Sequence, residues 1–189
     1  MQRLGQGWAA FQFVDFRLFS VSRFLAGLAL QMHNVAVGWY VYDLTHSAAA
    51  LGLVGLVAFL PAIAFSLLTG HVADNFDRRA IVALGHGLTG LAAAGLCACA
   101  WFRVEAIWPV YVLIALIGTA RAFGSPASQA LVPNLVPREH FGNAIALNST
   151  ISQTATISGP ALGGFLYVLG PTAVFGTAAL SFAIAAILV

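Results

Sequence analysis

The chain has 189 residues, 60% of them hydrophobic and 7% charged, with a mean hydropathy of +0.91. A soluble domain carries roughly 25% charged residues, so water is excluded as the solvent for most of this surface. Eight Arg and no Lys stand against six acids, a net charge of +2 that is too small and too dispersed to propose nucleic acid as a partner.

A bilayer core about 30 Å thick takes about 20 apolar helical residues to cross, and several runs reach that length. Strong alternation over about ten residues, the mark of an outer-membrane barrel, is lacking, so the reading is an all-α integral membrane protein. The opening MQRLGQGWAAFQFVDFR has neither a compact apolar core nor a small-residue cleavage site and is not read as a cleavable signal. Six transmembrane spans are expected at about 17–42, 49–70, 80–102, 107–130, 142–169 and 172–189, all within one domain, 1–189.

The first span holds Arg23 and, near its middle, Gln31, His33 and Asn34. An ionisable group inside a membrane costs roughly 2.5–3.5 kcal/mol on insertion scales, so each is a candidate for function. An imidazole exchanges protons near neutral pH, although a helix-to-helix hydrogen bond is its commoner use in a membrane. Arg23 either serves transport or snorkels and pairs with a neighbour. Asp43 lies near the outer end of the span, where it serves to terminate it. Between the second and third spans, SLLTGHVADNFDRRAIVALG (66–85) concentrates two Asp and two Arg between runs that have no charge.

In the third span, Cys97 and Cys99 lack metal-ligand spacing and read as small membrane-facing residues, while His86 has the same two readings as His33. Arg121 lies about 20 Å down the fourth span from Trp108, at 1.5 Å per residue, in its inner part. Proton coupling and snorkelling toward cytoplasmic headgroups compete for it. In the fifth span SGPALGG (158–164) places Gly159, Gly163 and Gly164 where a neighbouring helix can pack closely, with Pro160 favouring a bend.

Arginine placement orients the bundle. Arg3 and Arg17 flank the start of the first span, Arg78 and Arg79 follow the second, and Arg138 follows the fourth, against Arg103 alone on the other side. The positive-inside rule then puts both ends of the six-span bundle in the cytoplasm. Trp39, Tyr40, Tyr42, Trp101, Trp108 and Tyr111 would form an aromatic belt at the outer face.

Gly70, Asp74, Arg78 and Arg79 resemble the signature loop of the major facilitator superfamily: Gly, three residues, Asp, then basic residues four and five positions on. Asn75 stands where a basic residue is usual, and Asp77 where Gly is common. SGPALGG resembles a fifth-helix motif of the superfamily's proton-driven exporters. GWYVYDLTHSAAALGLVG and RAFGSPASQALVPNLVPREHFGNAIALNST are similar to the bacterial branch that includes the enterobactin exporter and macrolide-efflux proteins. The resemblance covers essentially the whole chain. It implies the N-terminal six-helix half of a twelve-helix fold, built from 3+3 inverted repeats, with substrate held near the midplane between halves. It also implies a conformational latch at Gly70, Asp74, Arg78 and Arg79. The candidate substrate or proton pathway is His33, Asn34, Arg121 and Arg23.

The expected function is ion-gradient-driven efflux of a small amphipathic compound, siderophore or drug-like, across a bacterial inner membrane by alternating access. The chain would supply one half. Its partners would be membrane lipid, the small-molecule substrate, and a C-terminal six-helix half or a second copy. The alternative is a non-transporting, truncated or accessory half-bundle that assembles with another transporter. A Walker-type loop, a Gly-x-Ser-x-Gly elbow and a His-Glu-x-x-His helix are all missing, so no enzyme activity, cofactor or metal is expected.

Overall fold

Long apolar runs separated by short polar turns become helices throughout residues 9–189, the part that the computed structural model describes. The α-helices are α1 Val14–Thr45, α2 Ala48–Ala64, α3 Ser66–Asn75, α4 Arg78–Trp101, α5 Trp108–Leu131, α6 Phe141–Tyr167 and α7 Pro171–Leu188. Single 3-10 turns lie at Ala9–Gln12, Val132–Asn134 and Arg138–His140.

Local chemistry sets the boundaries. α1 stops where His46 enters the left-handed region (φ 47°) and its N–H bonds back to the Tyr42 carbonyl at 2.7 Å. Ser47 then starts α2 by accepting from the Ala50 N–H at 3.4 Å. Asp77, the departure from the superfamily loop, is the N-cap of α4 and accepts from the Arg79 N–H at 3.0 Å. Gly170 at φ 101° turns the chain, and Pro171 opens α7 with its φ preset for a helix.

The second expected span is not one straight helix. α2 and α3 meet at Phe65 with a bend of 57°. Phe65 sits at φ −102°, ψ 7°, with its ring 5.5 Å from that of Phe123 on α5. A turn earlier, Gly118 of α5 comes up to the Ala58 carbonyl and the Pro61 ring, a gap that no Cβ fits. Both segments therefore pack on α5.

The extensive helix pairs are α4 with α7, α4 with α5, α1 with α6, α1 with α7, and α2 with α5. Exchanging α1 with α5, α2 with α6 and α4 with α7 maps this set onto itself. Two three-helix units thus share one packing plan. This pairing of two like units is the arrangement that the superfamily's 3+3 repeats lead one to expect. The centre of the bundle is lined by small side chains, Ala26, Ala29, Ala93, Ala178 and Ala185, around Phe182.

Large apolar side chains point outward, among them Leu67, Val168 and Ile187, each more than 80% exposed. In lipid this surface carries no penalty. By length and composition α4, the stretch Trp108–Asn134 and α7 are apolar enough to cross a bilayer, and α2 with α3 makes a fourth if taken as one bent span. α1 and α6 fall outside that group because they carry the polar residues. α1 has Gln31, His33 and Asn34 near its middle, and α6 has a run of hydroxyls from Ser149 to Ser158. Four of those six hydroxyls are satisfied within the helix: Thr150, Thr154, Thr156 and Ser158 each donate to the carbonyl four residues back.

Candidate functional site

A cavity of about 240 Å³ opens between α1, α4, α5, α6 and α7. Small residues line it: a Cβ on Gly124 of α5 would enter open space, whereas Gly27 of α1 and Gly85 of α4 let those helices approach Ala155 of α6 and the α5 backbone at the cavity's edge. Arg23 reaches in from α1. Its Nε donates to Ser152 Oγ on α6 at 3.0 Å and its NH1 to Ser128 Oγ on α5 at 2.7 Å, so one guanidinium ties three helices together. Arg121 enters from α5, and among the described residues it has no hydrogen-bond or ion-pair partner. His86 enters from α4, its ring 6.3 Å from that of Phe182. Gln31 completes the polar wall and accepts from Asn34 Nδ2 at 3.4 Å.

The four pathway candidates separate. Arg23 and Arg121 line the same cavity. Asn34 is exposed beside Gln31, whereas His33 is 3% exposed and packs on Phe175, with ring centroids 5.5 Å apart. Its Nδ1 has no partner among the described residues. At about 100° per residue Gln31 and Asn34 share a face and His33 turns away from it, so equal depth did not mean a shared site. The serines that hold Arg23 were not singled out from the sequence. Hydroxyls are so frequent along α6 that only the facing arginine distinguishes Ser152.

In the charged loop, Arg78 NH1 donates to the Ala130 carbonyl at 3.0 Å, at the C-terminal end of α5 where carbonyls lack helical donors. Arg79 pairs with Asp15 at 3.1 Å at the start of α1. Asp74 is exposed. The expected close helix approach at Gly70 is not made: a Cβ there would meet nothing within 4 Å. In 158–164 the expected three-glycine face reduces to two. A Cβ on Gly159 would lie 2.5 Å from Gln31 Cβ, and one on Gly163 would lie 2.8 Å from Met32 Cα. Gly164 is open, because it stands about 100° round the helix from Gly163. Pro160 is on the exposed side.

The aromatic belt is also thinner than expected. Tyr40 is buried edge-on to Phe175 at 5.7 Å, leaving Trp39, Tyr42, Trp101 and Trp108 exposed. Tyr111 donates to the Ala50 carbonyl at 3.3 Å. Asp43 does more than terminate its helix: it accepts from the Tyr167 hydroxyl at 3.0 Å and joins α1 to α6. Cys97 faces inward, 3.5 Å from the Thr172 carbonyl, rather than toward lipid.

Residues 5–189 match the family model described as transmembrane secretion effector. The chain belongs to this family of the major facilitator superfamily. It is 28% identical to the enterobactin exporter EntS of Shigella dysenteriae serotype 1 over 158 residues, 84% of this chain and 38% of that protein. Against EntS of Salmonella typhimurium the identity is 30% over 159 residues, again 84% and 38%. Macrolide efflux protein A of Streptococcus pyogenes is 30% identical over 136 residues, 71% of this chain and 33% of the relative. The chain therefore spans less than half the length of these relatives. Membership in the superfamily and the apolar helices make it a multi-pass membrane protein with half of the superfamily fold.

Proposed function

We propose that the chain forms one half of an exporter that moves a small amphipathic compound, of siderophore or macrolide type, out of a bacterial cytoplasm by alternating access driven by an ion gradient. The observation that carries this reading is the cavity holding Arg23, His86 and Arg121 within an apolar bundle. Groups this costly in lipid are retained where something polar crosses. The names of the relatives, exporters of enterobactin and of macrolides, point the same way. A second six-helix half, from a longer chain, another chain or a second copy, would close the cavity from the far side. Transport without chemistry is the whole activity in this reading, so the protein is not an enzyme.

The site lies in the inner membrane with the N-terminus cytoplasmic, the orientation favoured by Arg17, Arg78, Arg79 and Arg138 at one end of the bundle. Residues 70–79 stabilise one conformation: Arg78 and Arg79 hold the start of α4 on the end of α5 and the beginning of α1. The close face made by Gly159 and Gly163 lets α6 move against α1 as a packed unit.

Efflux of enterobactin and of a macrolide from loaded cells, measured with the native two-half assembly, tests the reading. Loss of efflux in Arg121→Ala is expected, and accumulation identical to that of cells without the protein would refute transport. Unchanged efflux in both Asp74→Asn and Arg78→Ala would remove the latch role. Efflux by the purified chain alone in liposomes would eliminate the accessory half-bundle.

A further inference from the structure

We propose that the cavity between α1, α4, α5, α6 and α7 is an anion-binding subsite, which selects small amphipathic molecules bearing a carboxylate, sulfonate or phosphate group. Its use in efflux rests on the transport reading and narrows the substrate class of that site.

The charge of the lining is one-sided. Arg23 and Arg121 carry its charge, His86 adds a polar ring, and no acidic residue faces the cavity. The six acids of the chain, Asp15, Asp43, Asp74, Asp77, Glu105 and Glu139, all lie in turns or within three residues of a helix end. Ser128 and Ser152 satisfy two N–H groups of Arg23, but as neutral acceptors they leave its charge uncompensated. Arg121 lacks even that support among the described residues. Arg23 is half-buried and Arg121 exposed on the same cavity wall. Two like charges there repel each other and any cationic ligand, and both effects reverse for an anion.

The remaining lining suits the rest of such a molecule. Ser125 offers a hydroxyl donor to an oxyanion oxygen, whereas Phe19, Leu30 and Phe182 supply an apolar wall. A dry cavity of about 150 Å³ holds benzene. One of about 240 Å³ holds a single ring with a charged substituent.

The test is calorimetric titration of the purified full chain, in discs of zwitterionic lipid, with benzoate, benzamide and benzylammonium. These probes share a ring and differ in charge. Benzoate is expected to bind at least about tenfold more tightly than benzamide, the ratio that a charge-assisted hydrogen bond supplies, and benzylammonium not to bind. Arg121→Gln is expected to remove that preference and Arg121→Lys to keep part of it. Arg121 makes no hydrogen bond that folding needs, so the variant's melting temperature, measured alongside, should stay within a few degrees. Equal affinity for benzoate and benzamide would overturn the inference. So would a preference that survives both Arg121→Gln and Arg23→Gln. Absence of benzoate binding would also overturn it. Efflux is read separately in the two-half assembly. Efflux without anion preference would sink this inference alone, and anion preference without efflux would sink the transport reading while leaving the subsite in place.

Discussion

Arg23 stands between two uses of a half-buried charge: it links α1, α5 and α6 through Ser128 and Ser152, yet it brings a guanidinium into the interior of a largely apolar bundle. The balance has a measurable sign. Ser152→Ala leaves an N–H of the guanidinium unpaired and should cost about 1–3 kcal/mol, whereas Arg23→Met removes donor and demand together and should cost less. Thermal unfolding in detergent orders the two; a larger loss for Arg23→Met would make the arginine a net stabiliser. The Arg79–Asp15 pair is a different case, with side chains 45% and 61% exposed. Asp15→Asn should shift stability by less than about 1 kcal/mol, and raised salt should shrink the effect further. Arg23 and Arg121 were legible in the sequence because an arginine within an apolar run is anomalous whatever surrounds it. The direction in which His33 points was not, since a single imidazole in an apolar run fits either face of its helix.

Helix contacts depend on a few positions without side chains. Gly163→Val would push a branched side chain into the α1 backbone at Met32, an overpacking cost of about 1–3 kcal/mol, while Gly164→Val enters open space and should change stability by about 0.5 kcal/mol or less. Melting temperatures of the pair in one detergent check this, and equal losses would show that the whole motif, not one face, is packed. The repeat-related pair, α5 on α2, also closes on a glycine, but from the other helix: Gly118 belongs to α5, the counterpart of α1, and a Cβ there would run into the Ala58 carbonyl oxygen, so Gly118→Val should destabilise at least as much as Gly163→Val. The composition of SGPALGG showed that close packing occurs in α6. It did not show which glycines take part, because helical phase relative to a neighbour is fixed by the neighbour. The break at Phe65 was equally hidden: 49–70 is apolar throughout, and the bend follows from how α2 and α3 both lie on α5.

For the whole molecule, orientation is the property most open to direct test. In chains with Cys97 and Cys99 replaced by Ser, single cysteines at Glu105 and at Asp77 should react oppositely with a membrane-impermeant maleimide. The first should label in intact cells and the second only after permeabilisation, and the reverse pattern would invert the proposed topology. Composition, run length and the placement of eight arginines determined by themselves that this is a helical membrane protein, because the transfer of each segment from water to lipid is decided segment by segment. The loop at 70–79 and the glycines of 158–164 likewise carried the family resemblance without any knowledge of contacts. Tertiary structure alone decided that Arg23 meets serines 105 and 129 residues away, that Arg121 and His86 share its cavity, and that His33 does not. In lipid the partners of a helix are chosen by close fit between small residues, and Gly, Ala and Ser recur along every helix here too often for sequence to say which of them face one another.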